Sequence, residues 1–213
     1  MFVLKLQRSL LIPVVAVLLL PTMAPAATAV ANYDEPVWFN WSKKNLDILI
    51  LDIHDPLISY SIQRAIQIWQ NGISYWNPTL GSQLSFRIYW ADSGTVPPSD
   101  FTPDIVFVPQ GFMSVTNGGN GSALTPTCYA TAPMLVAYGS FLRVTTHEFG
   151  HCLGQSHVFT SGVEYKPSFD IMGDGDGPKC PSNLNVQVIT RAFSGLGGTV
   201  SIAPSAYAQA PTC

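Results

Sequence analysis

The sequence predicts an α+β fold built around one β-sheet, and three observations support this prediction. A short run rich in leucine and isoleucine, at residues 46–53, is followed directly by a long stretch with helical periodicity. Short strand patterns come next, and two further helical stretches follow in the C-terminal half. This order of a strand, a helix, several strands and then helices is typical of α+β proteins.

Residues 1–29 are expected to be a secretory signal peptide rather than part of this fold. A basic start precedes an apolar run at 10–20 and a segment of small residues at 24–29, which is the order of regions in such signals. The run is shorter than the ~20 residues of a membrane-spanning helix, so an uncleaved membrane anchor is the less favoured alternative. Cleavage would fit after Ala26, Ala27 or Ala29. We therefore expect a secreted, extracellular chain with no membrane partner after cleavage.

The first helix is bounded by recognisable signals at both ends. Asp55 suits the N-cap and Pro56 the first helical position. Apolar residues then recur at steps of three and four as far as Trp76, which predicts a long amphipathic helix with one face in the core. The Asn77-Pro78 pair is expected to end it.

The middle of the chain predicts further strands. Residues 84–90 alternate between apolar and polar side chains, and residues 104–109 form a short apolar run. One or two short strands are also expected within 125–138. Together with 46–53, these segments supply the sheet.

The C-terminal half predicts two helices and a tail. A helix is expected over 140–154, where Gly154 suits a left-handed C-cap, and a last helix over 184–193. We expect one folded domain over 30–195 and a weakly patterned tail over 196–213.

The composition supports a globular protein and argues against nucleic-acid binding. Hydrophobic residues make up 47% of the chain, and charged residues only 11%, against roughly 25% in an average globular protein. The formal net charge is -3 and no basic cluster occurs, so a nucleic-acid partner is not expected.

The four cysteines are expected to form two disulfides, because an even number of cysteines in an exported chain is typical of disulfide pairing. No two of them are spaced as Cys-x-x-Cys, which argues against a zinc site made of cysteines. Four cysteines allow three disulfide connectivities, and all three stay open. A Cys152–Cys180 disulfide is our guess. The four are Cys128, Cys152, Cys180 and Cys213.

Three of the four histidines lie within residues 147–157, whose sequence is His-Glu-Phe-Gly-His-Cys-Leu-Gly-Gln-Ser-His. On a helix, His147 and His151 lie one turn apart and project from one face, where two imidazoles can bind one zinc ion. Gly154 permits a sharp turn that brings His157 back as a third ligand. Three protein ligands and one open position are typical of a catalytic zinc site.

Glu148 is the candidate general base of this site. It lies about 100° around the helix from His147, so it would flank the metal without binding it. A carboxylate in that place can accept a proton from a water on the open position. Cys152 lies about 140° from His147, away from the ligand face, which favours a disulfide over a metal ligand.

The motif over 147–157 resembles that of the metzincins, zinc endopeptidases with the pattern His-Glu-x-x-His-x-x-Gly-x-x-His. Residues 170–173, Asp-Ile-Met-Gly, are similar to the methionine turn that lies beneath the metal in this family. Over 36–195 the order of elements is most similar to the matrixin branch. The resemblance implies an upper domain with a mixed β-sheet and two long helices, and a small lower domain with the Met-turn and the final helix.

The same resemblance implies a secreted zinc metalloendopeptidase that binds a protein or peptide substrate in extended form along an edge strand. Met172 would support the zinc site from below without binding the metal. Arg143, one helical turn before His147, corresponds to the wall of the pocket for the side chain after the scissile bond, or else it turns outward into solvent. We expect the chain to act as a monomer with one catalytic Zn²⁺.

Two other functions stay open. Val158 stands where matrixins have serine and Asp174 where astacins have tyrosine, so an exported binding or adhesion module with little turnover is one alternative. A zinc hydrolase of a non-protein amide, such as a cell-wall crosslink, is the other. Residues 174–177, Asp-Gly-Asp-Gly, offer too few oxygens for a complete EF-hand loop, so a glycine-rich surface turn is favoured there and a Ca²⁺ site stays the open alternative.

Overall fold

The computed structural model describes residues 31–108, 116–117, 128–131, 141–165, 169–173 and 180–213. Within these ranges the chain forms helices and two β-sheets, so the α+β prediction is confirmed and the expectation of a single sheet is wrong. The predicted signal peptide and the Asp-Gly-Asp-Gly segment at 174–177 lie outside the described residues.

The larger sheet has five strands in the order β3-β2-β4-β6-β5. Four of them are parallel to their neighbours, and β5 alone runs antiparallel, at one edge. The strands are β2 (Asn45–Leu51), β3 (Ser85–Ala91), β4 (Ile105–Val108), β5 (Thr116–Asn117) and β6 (Cys128–Thr131). Each predicted strand segment therefore contains a strand, one of them within 125–138.

The helices lie close to their predicted positions. They are α1 (Pro56–Trp76), α2 (Pro78–Gln83), α3 (Phe141–Cys152) and α4 (Asn183–Phe193), with a 3₁₀ turn at Pro204–Ala206. Asp55 caps α1 by accepting hydrogen bonds from the backbone nitrogens of Leu57 and Ile58. Asn77 ends α1 as expected, but its side chain then caps the short helix α2, which the sequence analysis did not predict.

Helices α1 and α3 pack closely, because a glycine of α3 lies against a tryptophan of α1. Trp69 is fully buried, and its Nε1 donates a hydrogen bond to the carbonyl of Thr146 at 2.7 Å. A Cβ on Gly150 would lie only 2.7 Å from Cζ2 of Trp69. This close approach fixes α3 against the core, and α3 carries the first two histidines of the motif.

The smaller sheet is antiparallel, in the order β8-β7-β1-β9, and was not predicted. Its strands are β1 (Tyr33–Pro36), β7 (Phe159–Thr160), β8 (Val163–Glu164) and β9 (Thr199–Ile202). Strand β9 comes from residues 196–213, which the sequence analysis assigned to a tail. The four residues of β9 are too few for a clear pattern. The strand is held by pairing with β1, more than 160 residues away in the chain, where Asp34 lies opposite Ser201.

The two disulfides join Cys128 to Cys152 and Cys180 to Cys213, and no free cysteine is present. The guessed pairing of Cys152 with Cys180 is therefore wrong. Cys152, at the end of α3, is fully buried and lies 5.4 Å in Cα–Cα distance from Cys128 on β6. Two disulfides fit an exported protein. Among the described residues, no helix has both the length and the apolar character needed to cross a membrane.

We expect the Cys128–Cys152 disulfide to contribute about 3 kcal/mol to the free energy of unfolding, as chain entropy predicts for a loop of this length. A variant with serine at both positions should therefore unfold at lower urea concentration. Peptide mapping of the unreduced wild type should also recover both crosslinks. Alkylation of Cys152 in native, unreduced protein would contradict this pairing.

Candidate metal centre

The end of α3 and the loop after it bring the three histidines of the motif together. His147 and His151 lie one turn apart on α3. The chain leaves the helix at Gly154, whose φ is 96° and where a Cβ would lie 2.7 Å from the carbonyl oxygen of Phe39. Only glycine suits this position. The turn lets the chain return so that His157 lies beside the helix.

The three imidazoles form a compact cluster. Their potential ligand atoms all lie within 4.8 Å of one another. The Nε2 atoms of His147 and His151 are 3.1 Å apart. Two nitrogens bound to one tetrahedral zinc at about 2.0–2.1 Å would be separated by roughly 3.3 Å. The spacing of the cluster therefore fits one metal ion between its nitrogens.

Each imidazole is held through its Nδ1 atom by an oxygen atom. The pairs are His147 with the carbonyl of Ile171 at 2.8 Å, His151 with the carbonyl of Gln155 at 3.0 Å, and His157 with Oε1 of Glu164 at 2.7 Å. An oxygen acceptor at Nδ1 favours the tautomer that carries its proton there. The Nε2 lone pair of each ring is then left for a metal, which is the usual arrangement of histidine ligands.

His151 is suited to metal binding at neutral pH. Burial, with the neighbouring imidazoles of His147 and His157 as a smaller cause, lowers the pKa of His151 to about 3. The ring is therefore neutral and keeps its lone pair. Imidazole nitrogens suit divalent ions that prefer nitrogen ligands, such as zinc. The residues present thus could hold a metal, and the donor set alone does not fix which one.

Glu148 and Met172, both named by the sequence analysis, are buried in this region. Glu148 is 6% exposed and follows His147 on α3. Met172 is fully buried in a turn that the backbone nitrogen of Gly173 closes on the carbonyl of Asp170. A Cβ on Gly150 would lie 2.5 Å from Sδ of Met172, so this turn packs directly against α3.

The oxygens that hold the imidazoles were not predicted from the sequence. Glu164 reaches His157 because β7 and β8 form a hairpin whose two turn residues, Ser161 and Gly162, have φ values of 51° and 75°. A Ser-Gly pair between short strands is a usable hairpin signal, and it would have placed Glu164 near the motif. The carbonyls of Gln155 and Ile171 belong to the backbone, so residue types could not indicate them.

Arg143, named by its place one turn before His147, is half-buried on α3. Its Nε atom is buried and has no hydrogen-bond partner among the described residues.

A second group of potential ligands, Asp52, His54 and Asp92, lies at the ends of β2 and β3. His54 and Asp92 are both largely exposed and 3.6 Å apart. Exposed groups of this kind are common without a metal, and they take no part in the site on α3.

No known protein-family model matches the chain. A search of curated proteins also finds no significant match. The function must therefore be inferred from the site itself.

Proposed function

We propose that the chain is a zinc-dependent endopeptidase of metzincin type. The observation that carries this proposal is the cluster of three imidazoles, each oriented through Nδ1, two of which lie on the helix that also carries Glu148. Three protein ligands leave a position open for chemistry, whereas a structural zinc site fills all four. A buried carboxylate one residue from a ligand is the expected partner of such a site.

The residues have separate roles in this proposal. His147, His151 and His157 would hold the zinc ion. When bound, zinc polarises a scissile carbonyl and lowers the pKa of a water molecule towards neutrality. Glu148 accepts the proton of the attacking water on its carboxylate and then passes it to the nitrogen of the leaving amine. Met172 packs beneath α3 and supports the helix without binding the metal.

Two features of the fold are compatible with this proposal. The five-stranded sheet is mixed, with α1 and α3 as its long helices, and the turn with Met172 and α4 follow later in the chain. Among the described residues, β5 forms an antiparallel edge of that sheet. An edge strand can accept an extended peptide through main-chain hydrogen bonds, which suits a protein or peptide substrate.

The proposal is tested by incubating purified protein with a denatured protein substrate, with and without a zinc chelator. We expect cleavage that the chelator abolishes and that added zinc restores. Cleavage that persists after the metal is removed would contradict the proposal. A zinc-loaded protein that cleaves no peptide would instead favour an exported binding module or a hydrolase of non-protein amides.

Arg143 is proposed to line the pocket for the side chain that follows the scissile bond, one turn before His147 on α3. A long cationic side chain there should exclude large apolar residues, so Arg143→Ala should shift the cleavage profile towards them. We expect the ratio of cleavage before large apolar residues to cleavage before small ones to rise by about 10- to 200-fold, because one pocket contact contributes roughly 1–3 kcal/mol. A peptide library read by sequencing measures the profile. An unchanged profile with normal zinc content would show that Arg143 does not line the pocket.

A further inference from the structure

A buried carboxylate, Asp170, gathers hydrogen bonds from several segments next to the metal centre. Asp170 is 2% exposed. Its Oδ1 accepts from the backbone nitrogen of Met172 at 2.7 Å and from Nδ2 of Asn185 at 3.1 Å. Its Oδ2 accepts from the hydroxyls of Ser182 at 3.1 Å and Tyr207 at 2.8 Å. Four donors around one side chain suit a carboxylate, and they tie its turn to α4 and to the C-terminal segment.

The network continues to the smaller sheet through Asn185. The Nδ2 of Asn185 also donates to Oε2 of Glu35 on β1, at 3.1 Å, so its two amide hydrogens are shared between two acids. Burial, followed by the charge of Asp170, raises the pKa of Glu35 well above its ordinary value. Asn185 is itself fixed, because its Oδ1 accepts from the backbone nitrogen of Ser182 at 2.8 Å.

Asp170 is connected to the metal centre through one backbone carbonyl. Its side chain accepts from the nitrogen of Met172, and its own carbonyl accepts from the nitrogen of Gly173 at 3.0 Å. Ile171 lies between these anchor points, and its carbonyl accepts from Nδ1 of His147 at 2.8 Å. The position of that carbonyl, and with it the orientation of the imidazole, thus depends on how the turn is held.

We propose that Asp170 is a positioning residue of the metal centre, which holds the turn at 170–173 so that the Ile171 carbonyl orients His147. This inference rests on the proposed function only in that the three histidines bind a metal. Groups that orient a histidine ligand affect metal affinity by about 10- to 100-fold. A role confined to stability would weaken the fold without changing the affinity of molecules that stay folded.

The test compares Asp170→Asn with the wild type. Asparagine keeps the shape and one acceptor for the Met172 nitrogen, but its amide group turns an acceptor into a donor that faces Ser182 or Tyr207. Zinc affinity is measured by competition with a chelator, at a temperature where both proteins are folded. The visible spectrum of the Co²⁺-substituted protein reports the geometry of the ligands. We expect about 10- to 100-fold weaker zinc binding and an altered cobalt spectrum.

Ile105→Val is the control, because Ile105 is fully buried on β4 and is not part of the network. It should lower Tm without changing zinc affinity or the cobalt spectrum. Tyr207→Phe removes one hydrogen bond to Asp170, so it should weaken zinc binding in the same direction but by a smaller factor. If Asp170→Asn does not fold, Tyr207→Phe is measured in its place. Wild-type affinity and spectrum in the folded variants would overturn the proposal, as would an equal loss of affinity in Ile105→Val. Zinc binding without cleavage by the wild type would contradict the proposed function but not this inference, because neither readout involves substrate.

Discussion

Replacing both His147 and His151 by alanine is expected to lower zinc affinity by more than about 100-fold. This exceeds the loss expected when a group that only hydrogen-bonds to a ligand is removed. The reason is that His157 alone would remain, and a single imidazole cannot hold a catalytic zinc ion. Zinc content after dialysis against a weak chelator measures the effect. The wild type should retain about one zinc per chain.

The matched control for this variant is His54→Ala, which removes the only histidine of the chain outside the motif. His54 is largely exposed and lies 3.6 Å from Asp92. It is not part of the histidine cluster at α3. Its replacement should leave zinc content unchanged. Full zinc occupancy in the double variant, or loss of zinc in His54→Ala, would show that the metal binds elsewhere.

Glu148→Gln is expected to retain zinc and to lower kcat by about 10²–10⁴-fold, the range that general acid–base catalysis contributes. Glutamine has nearly the same shape as glutamate but cannot accept the proton of the attacking water. Steady-state cleavage of a fluorogenic peptide at saturating zinc measures the loss.

Glu164→Gln makes the same chemical change at the carboxylate that holds His157. Because Glu164 acts on a ligand, its replacement should weaken zinc binding by about 10- to 100-fold and leave most activity at saturating zinc. The two variants therefore separate proton transfer from metal binding. Wild-type turnover in Glu148→Gln would remove Glu148 from the mechanism.

The elements that the sequence predicts best are those specified by neighbouring residues. Helix α1 spans Pro56–Trp76 as expected, because its N-cap, its proline and its apolar periodicity all lie within one segment. The smaller sheet could not be predicted in this way. Strands β1 and β9 are four residues each, and their pairing depends on contacts between distant parts of the chain.

The site divides in the same way. His147, His151 and Glu148 could be assigned because helical spacing decides which side chains share a face. The atoms that orient the ligands could not, since the Ile171 carbonyl comes from a turn 24 residues after His147. The role of Asp170 depends on donors from α4 and from the C-terminal segment, and no pattern in the neighbouring sequence predicts it. The disulfide pairing also required the fold, since four cysteines allow three connectivities.

The proposed peptidase activity is measured most directly by the mass spectrum of a defined, denatured protein after incubation with the zinc-loaded chain. Hydrolysis of internal peptide bonds predicts pairs of complementary fragments whose summed mass exceeds that of the substrate by one water. These pairs should appear with the wild type and be almost absent with Glu148→Gln at equal zinc content. An intact substrate after incubation with fully zinc-loaded wild-type protein would contradict the proposed activity, and the same fragments from both proteins would contradict the role of Glu148.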